Sequence, residues 1–395
     1  MRRKEFIVVI GSGILIGLVA LYLMARGNPG NMGICIACFE RDIAGALGLH
    51  RASIVQYLRP EIIGILLGAL VAALAAREFK VKGGSAPVTR FVIGMLVMIG
   101  ALVFLGCPLR LSLRLGAGDM NALVGLFGFV GGIGAGVLFL KSGFNLGIAK
   151  DSKRIDGWIL PVIAVVLLGL AIFKPVLNPA QPVMFKGKPV TVNGEAVTTA
   201  PGPIFASKTP EGAKPVPGDM KAPLVISLIG GLVVGVVAYR SRFCFAGGIR
   251  DAMLTRDVKL LSGVVALVAV VALGTYFMGS FKFGFADQPI AHSDHLFNFM
   301  GMAVVGLGST MLGGCPLRQL VLSGNGNSDS SMSVFGMIAG AAFAHNFVFA
   351  AGKLPSGTMG VPGNGKIAVL IALSLLILIA MFNSEAITGR FAKKK

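Results

Sequence analysis

Apolar runs of near-membrane length recur from one end of this chain to the other. Ten stand out, near 5–25, 59–76, 90–106, 121–140, 158–173, 222–239, 260–279, 296–313, 332–351 and 367–384. Inside a bilayer each backbone N–H and C=O must be paired, and an apolar run of this length achieves that as a helix. The expected fold class is therefore an all-α polytopic membrane protein. Composition argues against a soluble domain: charged residues make up 13% of the 395, against roughly 25% in soluble domains. Several runs fall short of the roughly 20 residues of a full crossing. Glycines interrupt them, as expected where helices break within a membrane protein.

Lys and Arg number 36 against 17 Asp and Glu, a formal charge of +19. The basic residues do not suggest nucleic acid, because they sit mostly beside the apolar runs. Arg77, Lys80, Lys82 and Arg90 mark one loop. Lys141, Lys150, Lys153 and Arg154 mark a second, and Arg240, Arg242, Arg250, Arg256 and Lys259 a third. The tail adds Arg390, Lys393, Lys394 and Lys395. All four fall on one side if the N-terminus is cytoplasmic, as the positive-inside rule requires. The start MRRKEF and the uncleaved apolar run after it read as a first span entering from that side. The expectation is a multi-pass protein of the cell inner membrane with both termini cytoplasmic.

The chain repeats itself. Cys35 is followed by Arg41 and Asp42, and Cys244 at the same offsets by Arg250 and Asp251. Gly106-Cys107-Pro108-Leu109-Arg110 recurs as Gly314-Cys315-Pro316-Leu317-Arg318. Residues 1–173 and 222–395 are thus read as two copies of about five spans each. An odd span number inverts the second copy in the membrane, an arrangement shared by secondary transporters and some channels. Between the copies, 174–221 is a Pro- and Gly-rich extracytoplasmic linker with a small hairpin expected about Asn193-Gly194. Stripes at four-residue spacing (Gly128, Gly132 and Gly136; Gly336 and Gly340; Gly64 and Gly68; Gly231 and Gly235) predict close helix packing.

Four of the five cysteines occupy the repeated positions. Proline suits the first position of a helix, so short re-entrant or broken helices are expected to begin at Pro108 and Pro316 with Cys107 and Cys315 at their caps. Such an end offers free N–H groups and the positive end of the helix dipole to an anion. A thiol adds a soft, polarizable sulfur and a weak donor, suited to terminal sulfur or selenium. Cys35, Cys107, Cys244 and Cys315 are the candidate substrate path. Arg41, Arg110, Arg250 and Arg318 are candidates for attracting the anion, with Asp42 and Asp251 offering the alternative of neutralised pairs. Cys38 reads first as a small buried hydrophobe and second as the partner of Cys35 in a redox pair. His345 and Asn346 fall inside the run 332–351. They read as a helix–helix hydrogen bond or as part of a polar, proton-handling path. His292, Asp294 and His295 are a weak metal signal, and no metal or cofactor site is expected.

The stretch from Asn31 to His50, with Cys35-Ile36-Ala37-Cys38-Phe39-Glu40-Arg41-Asp42 at its centre, resembles the YeeE/YedE family, which carries the sulphur transport domain. Ala101–Arg110 fits the same family. Both stretches are most similar to its YedE-type branch, described as selenium transporters, and better-described relatives take up thiosulfate. The resemblance implies membrane uptake of a small selenium- or sulfur-containing anion through a central path, with Cys35, Cys107 and Cys315 as relay residues and Cys244 the internal counterpart of Cys35. It implies a transporter and no enzyme. The partners expected are the inorganic anion, membrane lipid and a cytoplasmic sulfur- or selenium-accepting protein, with no nucleic acid. A membrane redox or sulfur-transfer protein using Cys35 and Cys38 is the alternative. No Walker A motif is present, so uptake would be passive or ion-coupled.

Overall fold

The computed structural model describes residues 2–173, 204–209 and 215–386, with Gly389 and four two-residue strands between 184 and 196. Helices dominate. The first series is α1 (Arg2–Ala25), α2 (Ile36–Ala46), α3 (Pro60–Ala75), α4 (Pro87–Phe104), α5 (Pro108–Gly116), α6 (Met120–Lys141) and α7 (Arg154–Phe173). The second is α8 (Leu224–Ser241), α9 (Phe245–Thr255), α10 (Lys259–Phe277), α11 (His295–Met311), α12 (Pro316–Gly324), α13 (Ser328–Asn346) and α14 (Gly363–Phe382). The chain is an all-α polytopic membrane protein.

Every one of the ten apolar runs is a helix. Eight candidate spans are long and apolar enough to cross a membrane, not ten. The first shortfall is α3, whose 16 residues reach only ~24 Å at about 1.5 Å per residue. The second is α13, which opens with Ser328-Asp329-Ser330-Ser331 and ends in His345-Asn346. In three of the eight, a long helix continues through a break into a short one: α4 into α5, α8 into α9 and α11 into α12.

The two series match in their short members. Helices α2 and α9 have 11 residues each, and α5 and α12 have 9 each. Packing between the series is reciprocal: α1 lies on α10 as α8 lies on α3, and α6 lies on α11 as α13 lies on α4. Helices α4 and α11 meet at the centre. The last member of each series departs from this rule, since α7 packs on α3 and α12, whereas α14 packs on α4 and α11.

Glycine makes these contacts possible. A methyl group on Gly128 or Gly132 of α6 would collide with the Phe299 or Ala303 carbonyl of α11. On α13, Gly336 and Gly340 sit the same way against Phe91 and Met95 of α4. In the α3–α8 pair, Gly64 and Gly68 lie on the α8 backbone, and Gly231 and Gly235 lie on that of α3. All four predicted stripes are therefore helix crossings in which backbone touches backbone. Lipid gives no hydrophobic drive to such an interface, so dispersion and close approach hold it.

Strands are confined to two-residue ribbons. Lys82–Gly83 pairs with Lys150–Asp151, joining the α3–α4 and α6–α7 loops. In the linker Thr191–Val192 pairs antiparallel with Glu195–Ala196. That is the register expected for the hairpin, whose turn residues Asn193 and Gly194 lie outside the described residues.

Candidate functional site

Each of the four short helices begins at a repeated cysteine. Cys107 and Cys315 are the N-caps of α5 and α12, with Pro108 and Pro316 as first helical residues. Pro lacks the N–H that would be unpaired there, and its fixed φ starts the turn. The sequence did not predict α2 and α9. Their N-caps are Cys35 and Cys244, both in extended conformation, and each sulfur accepts the N–H three residues on: Cys38 at 3.3 Å and Gly247 at 3.2 Å. These are thiol versions of a Ser or Asp cap.

The caps meet in pairs. The sulfurs of Cys35 and Cys107 lie 3.8 Å apart, and those of Cys244 and Cys315 3.7 Å apart. Four helix N-termini are thus brought together two by two. The N–H groups of Ala37 and Arg110 face the Cys107 sulfur, and those of Phe245 and Arg318 face that of Cys315. The Cys315 N–H also approaches the Cys244 sulfur at 3.5 Å. All five cysteines are free thiols and buried. Each pair is a soft, apolar, N–H-rich spot at the positive ends of two helices.

The arginines divide. Arg110 is wholly buried and donates to the carbonyls of Asn31 (3.2 Å), Leu105, Pro289 (3.4 Å) and Ile290 (3.0 Å). Its Nη1 also lies 3.8 Å from the Cys38 sulfur. Arg110 thereby ties the α4–α5 break to the loop before α11. Arg318 is half-buried. It makes no hydrogen bond or ion pair among the described residues and lies beside Cys244 and Cys315, with Arg242 and Tyr239 near. In the second series the carbonyls at the break are taken by neutral Gln319, which donates to Leu312 (3.1 Å) and Gly314 (3.3 Å).

The two Arg-Asp pairs close on themselves in both copies. Arg41 holds Asp42 at 2.7 Å, and the other Asp42 oxygen accepts from Arg59 at 2.7 Å. Arg59 continues to the carbonyls of Pro217 and Met220 and stacks on Phe39 and Tyr57. This buried triad fastens α2 to the segment before α8. Arg250 pairs with Asp251 at 2.8 Å near the surface. Sequence reasoning missed Arg59, Gln319 and the buried Arg114–Asp119 pair at 2.6 Å. None carries a repeat signature, and their roles come from loops that close only in three dimensions.

His345 and Asn346 stand in the last turn of α13, not at mid-helix. Asn346 donates to the Leu49 carbonyl at 2.9 Å, and the His345 ring lies 4.5 Å from that of His50. They fasten α13 to the loop after α2. His292 bonds the Val103 carbonyl at 2.8 Å, Asp294 pairs with Lys366 at 3.2 Å, and His295 packs on Phe285. Among the described residues no three His, Cys, Asp or Glu side chains are placed to hold a metal ion.

A cleft of about 590 Å³ opens between the start of α1 and the α8–α9 junction. Lys4, Glu5, Arg240, Arg242, Asp251 and Lys259 are among its walls. Its charges are mixed, and Arg240 and Arg242 lie four and two residues before Cys244.

Fold and site together define a multi-pass membrane protein with two helix-cap thiol pairs. Residues 240–394, the part of the chain holding Cys244, Cys315 and Arg318, match the family model described as sulphur transport. The chain is also similar to the thiosulfate transporter TsuA of Escherichia coli (strain K12), 25% identical over 112 residues. That alignment covers 28% of this chain, and the chain spans 31% of the length of this curated relative.

Proposed function

We propose that this protein moves a small anion with terminal sulfur, of the thiosulfate class, across the cell inner membrane, past the two cysteine pairs in turn. The observation that carries the reading is the convergence of four N-cap cysteines into two matching pairs, 3.8 and 3.7 Å apart. A divalent anion entering such a spot meets backbone N–H groups and helix dipoles in place of water, and at the second pair it also meets the Arg318 guanidinium. Thiol S–H groups add weak, reversible contacts to a soft sulfur. The sulphur transport match and the similarity to a thiosulfate transporter agree with this substrate class.

The loop charges support cytoplasmic termini, and in this reading the 1–173 and 222–395 copies run in opposite senses with 174–221 outside. In that orientation the Arg242–Arg318 mouth faces the cytoplasm and the Cys35–Cys107 pair the outside. Selenium-containing anions of the same shape would meet the same contacts. Delivery to a sulfur- or selenium-accepting protein would take place beside Arg242 and Arg318. The redox alternative depends on Cys38 as the thiol partner of Cys35. The Cys35–Cys107 contact supports a path in which Cys38 has no required part.

Uptake of labelled thiosulfate into proteoliposomes, with selenium-containing anions as competitors, tests this. Saturable uptake that survives Cys38→Ala supports the reading, and the competition order ranks sulfur against selenium. Folded protein that takes up neither anion refutes it.

A further inference from the structure

Glu40 is 1% exposed, and neither of its carboxyl oxygens has a hydrogen-bond partner. It lines a cavity of about 240 Å³ whose other walls are all apolar, among them Ile43, Ile62, Leu160, Leu320 and Phe335. These come from five elements: α2, α3, α7, α12 and α13. In the other copy the same position, five residues after the cysteine, is Ile249, so the carboxyl is not a requirement of the shared fold.

No other charged group lines this cavity. Arg41 and Asp42 on α2 bond each other and Arg59. On α3, Glu61 accepts from Asn28 and Ser227. On α7, Asp156 accepts from Ser152, and Arg154 stands in the first turn. Asp329 of α13 pairs with Arg90 of α4, His345 of α13 lies on His50, and Arg318 of α12 faces the second cysteine pair. An ionised carboxylate with neither water nor counter-charge is not sustained in such surroundings. With the helices packed as they are, Glu40 holds its proton. It can lose that proton only when the cavity opens to water.

The place matters as much as the group. Helix α2 is capped by Cys35 of one pair, and α12, which contributes Leu320, is capped by Cys315 of the other. We propose that Glu40 is a proton-binding site whose occupancy sets how α2 docks against α7, α12 and α13. Anion movement past the cysteines is thereby coupled to proton movement. The step is a simple one: a carboxylate oxygen takes a proton from water when the cavity is open on one side and returns it to water on the other. This proposal rests on the transport reading above.

The test uses the full chain in vesicles holding a trapped pH dye, with the membrane potential clamped and thiosulfate added outside. Wild-type protein is expected to acidify the lumen as labelled thiosulfate enters, and Glu40→Gln to reduce the proton signal to that of protein-free vesicles. Thiosulfate entry without acidification, or an unchanged proton signal in Glu40→Gln, overturns the coupling and leaves transport standing. Entry of neither thiosulfate nor protons overturns both. Infrared difference spectra of the wild type with and without thiosulfate give an independent readout should the variant fail to fold. A protonated-carboxyl band that shifts with thiosulfate is expected, and its absence overturns the proposal.

Discussion

The two cysteine pairs share a backbone and differ in their surroundings. Each joins the caps of two short helices, with nearly equal sulfur separations. Around Cys35 and Cys107 the arginine that follows is buried and held by four carbonyls. Around Cys244 and Cys315 the matching arginine is bonded to nothing among the described residues, and Gln319 holds the Leu312 and Gly314 carbonyls at that break. One motif thus performs two tasks. At the first pair the guanidinium ties down a loop; at the second it makes no hydrogen bond or ion pair among the described residues. A path that is closed at one end and open at the other needs this kind of difference between otherwise matching halves.

Exchanging charge for a neutral amide at the two arginines separates these tasks. Arg110→Gln removes a buried cation from four acceptors and is expected to destabilise the fold by about 3 kcal/mol or more. A lowered unfolding temperature in detergent, measured beside the wild type, checks this. Arg318→Gln leaves stability unchanged, since no protein partner is lost. Removing one charge-assisted contact to the anion is expected to lose about 1.5–3 kcal/mol of binding, a rise of roughly ten- to a hundredfold in the substrate concentration for half-maximal uptake. Equal effects of the two variants on stability would erase the distinction between the pairs.

Smaller effects sharpen it. Gly132→Ala inserts a methyl against the Ala303 carbonyl at the α6–α11 crossing, at a cost of about 1–3 kcal/mol for overpacking, read by the same melt. Cys38→Ala removes a long contact to Arg110 and a thiol contact to Cys35 and is expected to change stability by less than about 1 kcal/mol, with near-normal uptake. A strong loss of uptake in folded Cys38→Ala protein would instead favour dithiol chemistry.

Much of this was legible beforehand, for identifiable reasons. Apolar runs mark membrane helices because lipid offers the backbone no partner. Glycine stripes mark crossings because a Cβ would strike the facing carbonyl. Pro108 and Pro316 announced α5 and α12. Helices α2 and α9 were not announced: their caps are cysteines, which sequence reading seldom counts as caps. The charges of α2 are nonetheless buried, because Arg41 and Asp42 are answered by Arg59, which lies in a loop. The fate of Arg110 and Arg318 was hidden for a similar reason. The motifs Cys-Pro-Leu-Arg are identical, and what separates them is a distant loop at 289–290 and the neighbour Gln319. Glu40 left one trace, the mismatch with Ile249 across the repeat.

The central claim is that the anion passes both pairs in series. The most direct measurement is labelled thiosulfate uptake into proteoliposomes bearing Cys107→Ala or Cys315→Ala, each confirmed folded. The account predicts that either single substitution reduces uptake to the level of empty vesicles. Substantial uptake by either variant would contradict it, since the path would then need only one pair.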